Sequence, residues 1–284
     1  MTGDDSGSRF PKPDSSPETD SRSRRLDQWL LALEPRHQSA FTSSEFLKAL
    51  RALSARYVER RSILADRSPL DSAGKRAAFA AFYAPLHFLT TREVVRAAGA
   101  SQAALTSIVD LGCGTGVASA AWAMALATAP MLHGADTHLW AIGEATWNWR
   151  QLGLRGDARR ADLVDTAGRL LARRDEPLTS TGIIAGWSVN ELSNAARLRL
   201  LPLLLELGRR GAAVLVIEPL ARAAAPWWDQ WAAGFTAGHG RAAQWKFAHA
   251  LPSRLAALDE AAGFTREGLG ARSLWLPPGA RPGA

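Results

Sequence analysis

Ile108-Val-Asp-Leu-Gly-Cys-Gly-Thr-Gly116 is the stretch on which the fold turns. Ile108 to Leu111 read as a buried strand, and an Ala-rich helical run, Val117 to Ala129, follows the loop. Gly112, Gly114 and Gly116 let the backbone turn sharply and let a ligand come close, while the start of the helix offers free amides. Ligands of open α/β sheets bind outside the carboxyl ends of the strands, so this loop predicts a binding crevice. The pattern is Gly-x-Gly-x-Gly. It lacks the third glycine of the Gly-x-Gly-x-x-Gly dinucleotide fingerprint.

Around this junction, short β-rich runs alternate with helical ones. The β-rich runs are Ser107–Leu111, His138–Gly143, Ala158–Leu163, Thr181–Val189, Ala212–Glu218 and Ser273–Leu276. Helical runs fall at Thr146–Leu152, Val164–Arg173, Glu191–Gly208 and Ser253–Ala262. Such alternation predicts an α/β fold with a doubly wound, mostly parallel sheet over residues 105–284. Upstream, residues 26–104 read as a helical extension. It comprises Leu26–Leu33 stopped before Pro35, a Ser-capped run through Phe46, Leu50, Leu53 and Tyr57, a break at Asp66–Leu70, then Lys75–Tyr83 ended by Pro85, and Thr90–Ala98. Residues 1–25, rich in Gly, Ser, Pro and mixed charge, read as a disordered tail without a signal or membrane-anchor pattern.

The chain has 284 residues, 47% hydrophobic and 21% charged, which excludes a wholly disordered or collagen-like protein. One cysteine excludes an intrachain disulfide and a zinc or iron-sulfur site built on cysteines of one chain. The six His show no ligand spacing, so no metal is expected. No uncharged stretch has the composition of a bilayer span, and a cytoplasmic location is expected. The net charge of +7 is consistent with an anionic partner. Placement of Arg51, Arg56, Arg60, Arg92 and Arg96 at the crevice mouth would point to RNA, and a closed apolar pocket there to a small molecule.

The nine-residue stretch resembles the first motif of the class I S-adenosylmethionine-dependent methyltransferases. The resemblance implies a Rossmann-like fold and S-adenosyl-L-methionine as cofactor. It implies that Asp110, Gly112, Cys113, Gly114, Thr115 and Gly116 surround the methionine part, with Asp110 orienting its amino group. It also places an acid for the ribose hydroxyls at the end of the second strand, here Glu144, 34 residues after Asp110, and an acid near adenine at Asp162, with Asp157 and Asp165 as rivals. After the fourth strand, Ala185-Gly-Trp-Ser-Val-Asn-Glu-Leu192 supplies Trp187 to close over the cofactor, and Trp187, Asn190 and Glu191 as catalytic candidates; Glu218 ends the fifth strand at the same rim. The Asn/Asp-Pro-Pro-Tyr signature is absent, and the sole cysteine lies in the loop, so a cysteine-nucleophile route is excluded.

Read together, Lys75 to Phe88, Trp187 to Leu192 and Val214-Leu-Val-Ile-Glu-Pro219 resemble the methyltransferase-like assembly factors of the mitochondrial small ribosomal subunit and their bacterial relatives. That resemblance spans about Lys75 to Phe247 and implies RNA or the small ribosomal subunit as partner. The family's cysteine cluster has no counterpart, so an iron-sulfur role is not implied. Small-molecule methylation and cofactor binding without turnover are the alternatives. The Trp-rich Ala225 to Trp231 fits packing in place of the lost cluster.

Overall fold

The computed structural model describes residues 17–59, 70–173, 177–221, 225–248, 250–264, 266 and 268–279. Seven strands form one sheet: β1 Ser107–Leu111, β2 Met131–Asp136, β3 Gly156–Arg160, β4 Thr181–Gly186, β5 Ala213–Glu218, β6 Arg241–Phe247 and β7 Leu269–Leu276. Their order is β3-β2-β1-β4-β5-β7-β6. β1 to β5 are mutually parallel, and β7 runs antiparallel to both β5 and β6. The sheet is therefore doubly wound and mostly parallel. Its strand order reverses at β1, whose neighbours are β2 and β4, so the crevice opens where the glycine loop leaves the sheet.

Helices cover both faces. On one lie α1 Pro17–His37, α2 Ser43–Glu59, α3 Ala73–Ala78, α4 Ala84–Ala97, α5 Val117–Ala125, α6 Leu139–Gln151 and α10 Ser253–Ala261. On the other lie α7 Leu163–Ala172, α8 Asn194–Arg209 and α9 Trp228–Ala237. The helical extension shares a core with the sheet: Trp29, Phe46, Leu50, Phe82 and Phe88 belong to the same buried cluster as Trp122 and Trp275. Trp227, Trp228 and Trp231 are buried in the opposite core, so the Trp-rich segment packs rather than stacking on a ligand.

Several local expectations are corrected. His138–Gly143, read as the second strand, lies at the start of α6, and the true second strand is the less apolar Met-Leu-His-Gly-Ala-Asp of β2. Packing overrides propensity there: a Cβ on Gly134 would come within 2.8 Å of Cys113 Sγ and 2.9 Å of Trp149, so only glycine lets the loop and α6 close over the strand. β3 ends at Arg160, and Asp162 beyond it caps α7. β6 and α9 have no counterpart in the sequence reading.

The helix of α1 begins at Pro17, inside the segment read as a disordered tail, and Arg22 donates to the carbonyls of Met124, Leu126 and Ala127. Satisfying those carbonyls at the end of α5 anchors the chain. α1 also runs past Pro35 to His37, where Arg36 and His37 dock on Glu144. α2 starts with a Thr42/Glu45 capping box: Glu45 N–H donates to Thr42 Oγ1 at 3.3 Å and Thr42 N–H to Glu45 Oε2 at 2.9 Å. Pro85 does not end the helix, since a π-helical turn, Phe79–Tyr83, joins α3 to α4 and absorbs the missing donor. Arg60, and the break at Asp66–Leu70 except its last residue, lie outside the described residues, as do residues 1–16 of the tail.

Candidate functional site at the carboxyl edge of the sheet

The glycine loop is fixed by its neighbours. Gly112 and Cys113 donate backbone N–H to the Ala135 carbonyl at 2.8 and 3.0 Å, and Gly116 N–H donates to Cys113 O at 2.7 Å. Gly112, Gly114 and Gly116 all have left-handed backbone, with φ of 71°, 51° and 73°. Their surroundings differ. A Cβ on Gly112 would meet Ser188 at 2.6 Å, and one on Gly116 would meet the Trp149 indole at 2.7 Å, whereas a Cβ on Gly114 meets nothing within 4 Å. Gly114 is thus the loop residue that faces open space.

Asp110 lies beneath the loop, 1% exposed. Its Oδ2 accepts from Ser119 N–H in the first turn of α5 at 3.3 Å, while Oδ1 is buried without a hydrogen-bond partner. Burial pushes its carboxyl up to about 7, against the pull of the Ser119 hydrogen bonds and with a further push from Asp136. Cys113 is buried against Gly134 and its thiol is pushed well up by burial and by Asp110 and Asp136, so it is packed and not a nucleophile. Thr115 Oγ1 is buried without a partner.

The acid at the end of the second strand is Asp136, not Glu144. Asp136 closes β2, 26 positions after Asp110, and accepts from Gly114 N–H through Oδ2 and from His138 N–H through Oδ1, both at 2.8 Å. A carboxylate has about four acceptor positions, so two oxygens with one bond each can still receive a diol. Glu144 sits on α6, 5% exposed, and its carboxylate is taken by Arg36 in two hydrogen bonds of 2.9 Å and by His37 at 3.3 Å. Burial opposes its ionisation, but His37 and Arg36 win and hold its carboxyl below the usual range. An acid in the register of the strand that pairs with β1 is the signal that would have found Asp136. The Leu-Trp-Ala-Ile at the start of α6 is more apolar than β2 and masks it in the sequence.

Asp162 follows β3 on the expected side and is exposed, with Oδ1 capping α7 through the N–H groups of Val164 and Asp165. Its rival Asp157 pairs with His133 and Arg159, and its rival Asp165 with Arg199.

Across the crevice, the segment after β4 is tied from below. Trp187 N–H donates to Ile217 O at 2.7 Å, Ser188 Oγ to Leu111 O at 2.8 Å, and the N–H groups of Val189 and Asn190 to buried Glu218 at 2.9 and 3.1 Å. These bonds hold Trp187 at φ 57°, unusual for a bulky residue. Its indole stacks face to face on His87, centroids 3.9 Å apart and planes 5° apart, and the continuous helix brings Tyr83 within 6.3 Å of the same imidazole. Burial, with Arg266 adding to it, lowers His87 to about 3, so the imidazole is neutral. Asn190 is not a helix cap: its Oδ1 accepts from Trp227 Nε1–H at 3.2 Å. Glu191 is solvent-exposed; desolvation by the chain around it and the charge of Asp136 push its carboxyl up to about 7. The charge of Asp136 at the end of β2 thus reaches both Asp110 and Glu191.

Among the described residues no cluster of three His, Cys, Asp or Glu side chains could hold a metal, and no helix is long and apolar enough to cross a membrane.

No family model and no curated protein matches the chain. Among solved structures, it overlaps an O-methyltransferase from Bacillus cereus in complex with SAH at 13% identity and TM-score 0.44, covering 89% of this chain and 99% of that one. It overlaps a SAM dependent methyltransferase from Aquifex aeolicus at 14% and 0.38, covering 67% and 90%, and the O-methyltransferase TomG from Streptomyces achromogenes, in complex with SAM, at 14% and 0.41, covering 84% and 92%. These are loose overlaps at low identity, and none of them identifies this chain.

Proposed function

We propose that this chain is an S-adenosylmethionine-dependent methyltransferase. The observation that carries the reading is the Asp110 carboxyl: a buried acid with an unsatisfied oxygen, under a glycine loop at the point where the strand order reverses. A buried acceptor without a partner is costly, and an ammonium group such as that of the cofactor's amino-acid end would satisfy it. Asp136 would take the ribose hydroxyls, and the open side of Gly114 leaves room for the ligand against the backbone. When bound, S-adenosylmethionine supplies a methyl group made electrophilic by its sulfonium.

On the facing wall, Glu191 has the chemistry of a general base. A carboxyl raised to about 7 is ionised in a large fraction at neutral pH and still basic enough to take a proton from an acceptor O–H or N–H at its Oε atoms. Trp187 and neutral His87 form a flat apolar wall beside it, which restricts water and orients the acceptor. Of the arginines that would have marked an RNA-binding mouth, Arg51 donates to the carbonyls of Ala261 and Ala262, and Arg92 and Arg96 pair with Glu93. The Arg56 side chain lies outside what is described. A small acceptor is therefore the first reading. RNA, including that of the small ribosomal subunit, is the second, favoured by exposed Arg155 and Arg160 at the two ends of edge strand β3, whose end meets Asp136.

Calorimetric titration with S-adenosylhomocysteine tests the cofactor, using Gly114→Asn as control. Asn tolerates left-handed backbone, so it adds a side chain to the open space with little strain. Binding to the wild type, weakened at least tenfold in the variant at unchanged melting temperature, is expected. A wild type that gives no binding heat and no thermal shift would refute the proposal. Methyl-labelled cofactor added to a cell extract then assigns the acceptor: label in the small-molecule fraction supports the first reading, ribonuclease-sensitive label the second.

A further inference from the structure

The carbonyl of Thr115 lies between two glycines of left-handed backbone, Gly114 and Gly116, so the local chain does little to fix its direction. Outside donors do so instead. Asn148 of α6, 2% exposed, donates Nδ2–H to Thr115 O at 2.8 Å, and Trp149 Nε1–H donates to Gly116 O at 2.8 Å. Asn148 is in turn held by α1: the Trp29 indole, fully buried, donates Nε1–H to Asn148 Oδ1 at 2.7 Å.

The chemistry of this relay is directional. An indole N–H can only donate, so it must face the oxygen end of the carboxamide, and the NH2 end is left for the loop. Without that N–H, the carboxamide is free to rotate and set its oxygen against the Thr115 oxygen. Trp29 is itself fixed, tilted against Phe88 with centroids 5.3 Å apart, and α1 is pinned on either side of it by Arg22 on the carbonyls at the end of α5 and by Arg36 on Glu144. The first helix is thus wired to the loop by two buried hydrogen bonds in series.

We propose that Trp29 is a positioning residue for the cofactor loop, acting through Asn148, and that cofactor binding and docking of the first helix are thermodynamically coupled. The inference rests on the reading of the loop as a cofactor site. Coupling is reciprocal, so a ligand that favours the ordered loop also tightens α1.

The test is a double-mutant cycle on the full chain, read by calorimetric affinity for S-adenosylhomocysteine. Trp29→Phe keeps the ring and removes only the donor, and Asn148→Leu removes the relay. Each is expected to weaken binding roughly five- to tenfold, and the double variant is expected to be no weaker than Asn148→Leu alone, as for members of one network. Phe235→Leu, a core change on the opposite face of the sheet, should lower the melting temperature while leaving affinity within about twofold. In the wild type the ligand should slow amide exchange over residues 22–37, and this protection should shrink in Trp29→Phe. Wild-type affinity in Trp29→Phe, or losses that multiply in the double variant, would overturn the inference. Failure of the wild type itself to bind would overturn the cofactor reading on which it stands.

Discussion

On the β1 side of the crevice, the loop of residues 112–116 is held by β2, by two side chains of α6 and through them by α1, and two of its three glycines have no room for a side chain. On the β4 side, residues 187–191 are pinned by Ile217, Leu111 and Glu218, but their side chains remain available: Trp187 stands half-exposed on His87, and Glu191 reaches solvent. On the proposed reading, the first wall holds the cofactor against backbone. The second combines a strained tryptophan with an acid whose ionisation is poised near neutrality, which suits a wall that takes part in chemistry.

The contrast is tested most strongly at Asp110. Asp110→Asn should reduce affinity for S-adenosylhomocysteine by more than a hundredfold, since the variant lacks the charge that meets the ammonium group. It should also stabilise the unliganded protein. The folded carboxyl is raised to about 7 from the ordinary 3.8, so the native state holds a proton that the unfolded chain releases, and stability falls as pH rises from about 4 to 7. At pH 8 the asparagine avoids this penalty, and a gain of about 2 to 4 kcal/mol is expected by chemical denaturation, shrinking toward zero near pH 4. Equal stabilities of wild type and variant at pH 8 would show that Asp110 is not a strained acid.

At the other wall, Glu191→Gln should leave cofactor affinity within about threefold and cut methyl transfer roughly a hundredfold, the usual range for a general base. Wild-type turnover should rise as pH passes through about 7 and then level, because the ionised form is the active one. The variant should lose this rise. An unchanged pH profile in the variant would move the base elsewhere.

The same asymmetry explains what could be read from sequence. β1, β4 and β5 are apolar runs buried on both faces, and the glycine loop is a local pattern, so each is legible without tertiary knowledge. β2 is not, because its Gly134 and His133 answer to the packing of Trp149 and Cys113 and to Asp157 on β3, contacts that only the folded chain makes. A second strand at His138–Gly143 ends at Glu144, whereas the β2 of the folded chain ends at Asp136. The positive φ of Trp187 and its stack on His87 likewise depend on bonds from β1 and β5, far away in sequence. In the front region, helix period was visible in α2, whereas the π turn that carries the chain past Pro85 has no local signature.

The smallest expected effect separates the two acids after Gly134. Glu144 is engaged by Arg36 and His37 and docks the end of α1 on α6, and on the proposed reading it is Asp136 that takes the ribose. Its carboxyl is held below its unfolded value, so the pair stabilises the protein above about pH 4.5, and that contribution is lost as pH falls through the lowered value. Glu144→Gln keeps a hydrogen-bonding group of the same size and should cost roughly 1 to 2 kcal/mol at pH 7, with the cost fading in acid. Affinity for S-adenosylhomocysteine should fall less than in Trp29→Phe, by no more than about threefold, because Glu144 reaches the loop only through the docking of α1. Asp136→Ala, by contrast, should weaken binding by about 1.5 to 3 kcal/mol, the scale of hydrogen bonds to a charged group. A tenfold loss in Glu144→Gln with Asp136→Ala unaffected would reverse the assignment of the two acids and with it the account of the β1 wall.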